Sequence, residues 1–430
     1  MNTTRELFNV RTPADALQTL LGALHERAPR SAARGDAQAA AGDDAFERVA
    51  TAHALDRILA EAVAAPGELP TFRRSTMDGF AVRAADTFGA TEGLPAYLDV
   101  VDDIPMGHAP RMELARGQCA RIATGGMLPA GADGVVMVEA TQSVGLTTIE
   151  VLRAVAPGEN VVQPGEDVRR GDPILPRGHR LRAQDLGGLL ALGVTSVLVT
   201  RRLRVGIVSG GDELVAPDQA PGPAQIRDIN SYTLAALIER DGHLACPAGL
   251  VPDVYESLKA VAENALSEND VVILSAGSSV STRDMTAQVI DSLGEPGVLV
   301  HGVSLKPGKP TILGVCAGKA VFGLPGNPVS CMVTYDLFVA PTLAYLSGAA
   351  TVPRRTLSAR LARNIASATG REDYVQVRLQ RAAVDGALEA LPVFGKSNLI
   401  FTLIRADGMV KVPLDAGGLS AGSTVEVVLF

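Results

Sequence analysis

Three stretches of this chain combine small, hydroxylated and charged residues in a way that suits binding of an oxyanion. They are Ser209-Gly210-Gly211-Asp212-Glu213-Leu214, Ser275-Ala276-Gly277-Ser278-Ser279-Val280-Ser281-Thr282-Arg283-Asp284, and Gly323-Leu324-Pro325-Gly326-Asn327-Pro328-Val329-Ser330. Each follows an apolar run that reads as a buried strand, at 203–209, 271–274 and 320–324. In the last, Asn327 is placed to cap a helix that Pro328 starts, leaving amides and the Ser330 hydroxyl facing the loop. Such loops equally reverse a chain, and Ser281 with Asp284 also fits a capping box. Three on one sheet edge favour a ligand: phosphate, or a tetrahedral oxometalate. The chain has six lysines, yet two stand in Lys306-Pro307-Gly308-Lys309-Pro310. A rigid turn holding two compact ammonium groups suits an anion, though a solvated hairpin tip has the same composition. Asp253, Asp284 and Glu213 supply hard oxygens of the kind Mg²⁺ takes; each is also a plausible helix cap or solvated acid. The six histidines show no metal spacing, and no Ser/His/Asp pattern is legible.

Elements that would hold these residues follow from periodicity. Strands at 203–209, 271–274, 298–304 and a β pair over 311–324 alternate with helices at 231–240, 255–266, about 283–293 and from Pro328. Near-continuous apolar strands between helices predict an open, mainly parallel, doubly wound sheet over 201–350. Upstream, Thr12-Pro13 opens a helix with Leu17, Leu20, Leu21 and Leu24 on one face. Residues 28–44 read as a connection, and a second helix is expected to carry Val49, Leu55, Ile58 and Leu59. Short β-rich runs over 61–152 predict an inserted domain. Residues 1–60 with 153–200 would form a linking domain, and 351–430 a small all-β domain.

Composition limits the class. Of 430 residues, 47% are hydrophobic and 20% charged, with a formal net charge of −8, which is globular and lacks the cationic footprint of a nucleic-acid binder. No uninterrupted apolar run approaches the roughly 18 residues of a membrane span, and the first residues carry no signal-peptide core. Cys119, Cys246, Cys316 and Cys331 are spaced as free thiols, so a cytoplasmic setting is expected.

Beyond these loops, Ser75-Thr76-Met77-Asp78-Gly79-Phe80-Ala81-Val82 resembles the signature S-x-M-D-G-[YF]-A-V of the molybdopterin molybdenumtransferases, the MoeA family that includes the E domain of gephyrin. Thr124-Gly125-Gly126, Gly165-Glu166-Asp167, the three loops and the lysine turn follow in that family's order. The resemblance implies insertion of molybdenum from molybdate into adenylated molybdopterin, with Mg²⁺-assisted release of AMP. It also implies a homodimer whose site joins the α/β domain of one subunit to the Met-Asp-Gly domain of the other. Carried onto this chain, Lys306, Lys309 and Ser330 would hold molybdate or the pterin phosphate, and Asp253 and Asp284 the Mg²⁺. Asp78, Thr124, Asp167 and Glu213 match further polar positions. Ser209, Gly210, Ser275, Gly277, Ser279, Pro325 and Asn327 would line the substrate. Arg371 matches a C-terminal-domain arginine that contacts molybdate, and Lys396 and Ser397 are lesser candidates for that role. Ala276 and Ser281 replace glycines of the family loop, which predicts strain if Ala276 has a positive φ. Arg73-Arg74 would contact phosphate or pair with surface acids. An adenylyltransferase-like enzyme and a non-catalytic pterin-binding scaffold are the alternative readings.

Overall fold

The computed structural model describes residues 11–27, 45–276, 280–350, 354–383 and 385–430. At its centre is a six-stranded sheet of β1 (Arg204–Gly210), β2 (Leu244–Val251), β3 (Val271–Ala276), β4 (Pro296–His301), β5 (Ile312–Cys316) and β6 (Lys319–Pro325), in the order β2-β1-β3-β6-β5-β4. The first four strands in that order are parallel, and β5 and β4 continue antiparallel. Helices α1 (Asn230–Arg240), α2 (Tyr255–Glu268), α3 (Val280–Ser292) and α4 (Pro328–Thr334) connect or follow the strands.

Two apolar clusters cover the two faces. Val205, Ile207, Ile273 and Phe322 pack with α1 and the 328–346 helical run, and Val208, Val272, Leu274 and Val321 pack with α2 and α3. The alternation of strand side chains between these clusters explains why both parities of residue are apolar. Pro328–Leu346 is long and apolar enough to cross a bilayer, but Tyr335, Phe338, Val339 and Leu343 lie in the first cluster.

Register sets the functional edge. Ser209 stands opposite Ser275, which stands opposite Leu324, so the three loops leave adjacent parallel strands at their carboxyl ends. Strand β2 was not expected. Its Leu-Ala-Cys-Pro-Ala-Gly-Leu-Val sequence includes Pro and Gly and runs along the sheet edge, so it lacks the continuous burial that marks its neighbours.

The helix Pro13–Arg27 forms as its leucine spacing predicts, but it belongs to a different unit than expected. Ala16, Leu20 and Leu24 pack into the central core with Val205 and Phe322, not into the linking domain. The helix expected around Val49–Leu59 is also replaced. Phe46–Ala50 is a strand paired antiparallel with Ser196–Thr200, and Thr51–His53 is one 3₁₀ turn. Pairing with a segment far away in sequence has overridden the local pattern. Ala54, Leu59, Leu175, Leu181, Leu189 and Val199 make one core from both sides of the inserted domain. The insert is a six-stranded sheet ordered 134–137, 79–82, 118–122, 96–104, 148–151, 141–144.

The last domain is a closed sheet. Glu372–Arg381 pairs with Leu388–Pro392 on one side and Gly408–Val412 on the other, and Thr356–Leu361 and Thr424–Leu429 complete the circuit. One short helix, Phe401–Ile404, interrupts the expected run of strands. Leu305–Lys306 from the α/β domain adds to this sheet in parallel with Glu372–Asp373.

Candidate functional site

The backbone of the lysine turn is anchored, while Lys306 and Lys309 keep exposed side chains. Leu305 and Lys306, where it begins, form the ladder onto Glu372–Asp373, Glu372 N–H donates to the Ser304 carbonyl at 2.9 Å, and Thr311 N–H closes the turn on the Gly308 carbonyl at 3.1 Å. Gly308 has φ +116°, and a Cβ there would lie 2.4 Å from Thr334 Cγ2, so the turn needs glycine at this point. Between this turn, the start of α4 and the C-terminal sheet lies a cavity of about 1140 Å³.

That cavity gathers many of the residues named from sequence. Lys306, Lys309, Pro325, Asn327, Ser330, Arg371, Lys396 and Ser397 all line it. Its cationic side is organised by one buried carboxylate, Asp373, only 2% exposed. Arg371 reaches Asp373 through Nε at 2.8 Å and Nη2 at 3.4 Å, and Lys306 Nζ stands 3.8 Å from Oδ2. The fork of Arg371 is thereby fixed in direction while its charge is only partly offset. Asn327 does precede α4, but its side chain makes no capping hydrogen bond there.

A second group sits at the ends of β1 and β2. Gly210 lies opposite Val251, and Gly211 N–H donates to the Val251 carbonyl at 3.1 Å, bringing Asp212 and Glu213 to Asp253. Asp253 N–H donates to Asp212 Oδ1 at 3.1 Å. Burial first, and then the charges of Asp212 and Glu213, push the Asp253 carboxyl above its ordinary pKa. Such a group gains from a divalent cation, and the oxygen-only donor set fits Mg²⁺. Among the described residues no three acids form a ready-made metal cage, and Asp284 is exposed at the start of the second turn of α3. Mg²⁺ bound by one or two carboxylates and completed by phosphate oxygens is consistent with this set.

Between the two groups runs a polar relay. Ser209 Oγ and Ser231 Oγ are 2.7 Å apart, Asn230 Nδ2 donates to Ser275 Oγ at 3.1 Å and to the Gly326 carbonyl at 2.8 Å, and Ser231 N–H donates to Asp228 at 3.1 Å. Asn230 therefore ties the carboxyl end of β3 to the loop after β6. Asp228 and Asn230 are missed by the sequence reading, which names Asp212 only as part of its loop. The run Arg227-Asp228-Ile229-Asn230-Ser231, a cluster of charge, amide and hydroxyl at a helix start, was the available signal.

Other expectations resolve separately. Gly277 and Ser279 lie outside the described residues. Ala276 ends β3 opposite Pro325, in extended backbone, so the expected strain at a positive φ is absent. Helix α3 begins at Val280, which puts Ser281 inside its first turn rather than at a cap. Arg73 donates to the Ala132 carbonyl at 3.0 Å rather than pairing with a surface acid. Asp78 accepts from Thr124 N–H at 2.7 Å and Thr124 Oγ1 at 3.0 Å, and these bonds lower its carboxyl pKa. This pair belongs to the inserted domain and, like the exposed Asp167, does not line the cavity.

Comparison with known proteins agrees with this layout. Residues 14–193 match the MoeA N-terminal region (domain I and II), 206–345 the "Probable molybdopterin binding domain", and 358–430 the MoeA C-terminal region (domain IV). The molybdopterin molybdenumtransferase of Bacillus subtilis is 32% identical over 387 residues, 89% of each chain. Molybdopterin molybdenumtransferase 2 of Mycobacterium tuberculosis is 33% identical over 376 residues, 86% of this chain and 91% of the relative. A crystal structure of the molybdopterin biosynthesis MoeA protein from Pyrococcus horikoshii OT3 superposes with a TM-score of 0.81 at 30% identity, covering 98% of this chain and 100% of that one. The chain belongs to the molybdopterin molybdenumtransferase (MoeA) family, enzymes of molybdenum cofactor biosynthesis.

Proposed function

We propose that this enzyme inserts molybdenum from molybdate into adenylated molybdopterin with release of AMP. One observation carries the reading: a cationic cavity and an acidic group occupy the same sheet edge, with the strand ends that Asn230 ties together lying between them. A tetrahedral dianion suits the first, where Lys306, Lys309, Ser330 and Arg371 offer charge and donors. A pyrophosphate with Mg²⁺ suits the second, with Asp253 and, as the resemblance implies, Asp284 as metal ligands. Bound there, Mg²⁺ would offset charge on the pyrophosphate and on the departing AMP. The chain's own residues do the rest: Ser209, Ser275 and Asn230 hold the loops that orient the phosphates, while the Lys306–Pro310 turn fixes the anion.

The Asp78–Thr124 pair gains a role if the enzyme is a homodimer, with the inserted domain of a second copy closing the site. Sedimentation equilibrium at micromolar concentration reads that directly. For the reaction, single-turnover AMP release from adenylated molybdopterin is the test, run with and without molybdate and Mg²⁺. Release that requires both, with molybdenum recovered in the pterin, is expected. Release indifferent to molybdate would overturn the insertase reading, and tight binding without release would leave a pterin-binding scaffold.

A further inference from the structure

Of the described residues, three bury a side-chain polar atom with no hydrogen-bond partner: Asn269 Oδ1, Ser367 Oγ and Gln376 Nε2. Gln376 alone among them lines the cavity, and it is 7% exposed. A buried amide without a partner lowers stability, so natural proteins keep one chiefly where something else completes it. The terminal torsion of glutamine is soft, and the amide can turn its donor toward a ligand without moving the strand.

Position says what that ligand part is. Gln376 lies three residues beyond Asp373 on one extended strand, roughly 10 Å along it. A tetrahedral oxyanion held at Arg371 and Lys306 does not span that length. The lining near Gln376 includes Val393, Phe394 and Tyr374, and Asp373 is the one acid among the residues that line the cavity. An anion at one end, an aromatic and aliphatic wall and a neutral donor at the other describe an extended molecule that ends in a heterocycle with an acceptor atom.

We propose that Gln376 is a specificity-determining residue, its amide holding the acceptor edge of the pterin ring while the substrate's anionic end, or molybdate, lies at Lys306 and Arg371. This rests on the reading of the substrate as a molybdopterin. It makes the C-terminal sheet the reader of the ring, and the α/β domain the holder of the phosphates.

The test compares Gln376→Leu, which keeps volume and removes the amide, with Gln376→Glu, which keeps shape and sets an acceptor against an acceptor. Without ligand, Q376L should melt no lower than the wild type, because no hydrogen bond is lost. Its KM for adenylated molybdopterin should rise about tenfold, the equivalent of one neutral hydrogen bond. The molybdate concentration for half-maximal rate should stay the same, and Q376E should raise KM further. An unchanged KM in both variants overturns the proposal. A fall in the ligand-free melting temperature of Q376L with unchanged pterin affinity does so too, by showing a structural amide. Direct titration with molybdopterin, read by pterin fluorescence, separates the two levels. Wild type that binds no pterin removes the substrate reading, and this proposal with it. Wild type that binds only as tightly as Q376L removes the proposal alone.

Discussion

Arg371→Ala should do two things of different size, and their separation tests how the cationic side of the cavity is built. In the native protein Asp373 is shared between Arg371 at 2.8 Å and Lys306 at 3.8 Å. At an effective dielectric of about 20 these distances correspond to roughly 6 and 4 kcal/mol of attraction, so the variant loses the larger partner and keeps the smaller. The cost should therefore lie below the roughly 3–5 kcal/mol of a buried charge left alone, and above the roughly 1 kcal/mol of an exposed pair. About 2 kcal/mol is expected, read as a shift in the urea midpoint followed by circular dichroism. Asp373→Asn should cost less, because Arg371 and Lys306 are then left partly in solvent rather than buried unpaired. The double variant R371A/D373N should recover most of the loss, since no buried carboxylate remains. Molybdate affinity, measured by equilibrium dialysis, should behave otherwise. It should fall roughly ten- to hundredfold in R371A, the weight of a charge-assisted hydrogen bond, and stay low in the double variant. An R371A protein as stable as wild type, or a double variant no more stable than R371A, would refute the reasoning.

Two further outcomes follow from the structure. His243 is 4% exposed, its Nδ1 accepts from Leu203 N–H at 3.4 Å, and burial with Arg180 and Arg202 nearby pushes its pKa down to about 4, against the opposing pull of Asp241 and Asp270. The unfolded chain binds that proton near pH 6.5 and the folded one only near 4, so stability should be full above 6.5 and fall by about 3 kcal/mol as pH drops between the two values. His243→Leu should flatten that part of the profile; an identical slope in both proteins would exclude His243 as its source. Gly308→Ala places a methyl 2.4 Å from Thr334 Cγ2 at φ +116° and should cost about 2–4 kcal/mol, with weaker anion binding because the lysine turn moves. Unchanged melting and anion affinity in G308A would show that the turn relaxes freely.

What is legible in the sequence depends on whether local pattern and final burial coincide. Strands β1, β3 and β6 are apolar at nearly every position because both faces are covered, and that apolar continuity alone marks their loops as neighbours on one sheet edge. Strand β2, at the edge, carries no such signal. The 46–59 region has apolar residues but no partner nearby in the chain, since its partner strand lies at 196–200. For the Pro13–Arg27 helix, the periodicity gives the face and not the surface it meets. The site shows the same division. Lys306, Lys309 and Ser330 are marked by composition, whereas Asp373 and Gln376 look like ordinary strand residues until the 372–381 strand is placed against the lysine turn.

That placement gives the cavity its logic. Its walls come from two domains, and they meet where Leu305–Lys306 pairs with Glu372–Asp373 and where Val329 N–H donates to the Ser397 carbonyl at 3.1 Å. One contact fixes the lysine turn against the strand that holds Asp373 and Gln376; the other fixes the start of α4, and Ser330 with it, against the segment carrying Lys396. A tilt of the C-terminal sheet would therefore change the spacing of Lys306, Arg371 and Ser330 together rather than one at a time. Anion binding, which draws those groups inward, and docking of the C-terminal sheet, which sets their separation, must then share a single free energy, each strengthening the other.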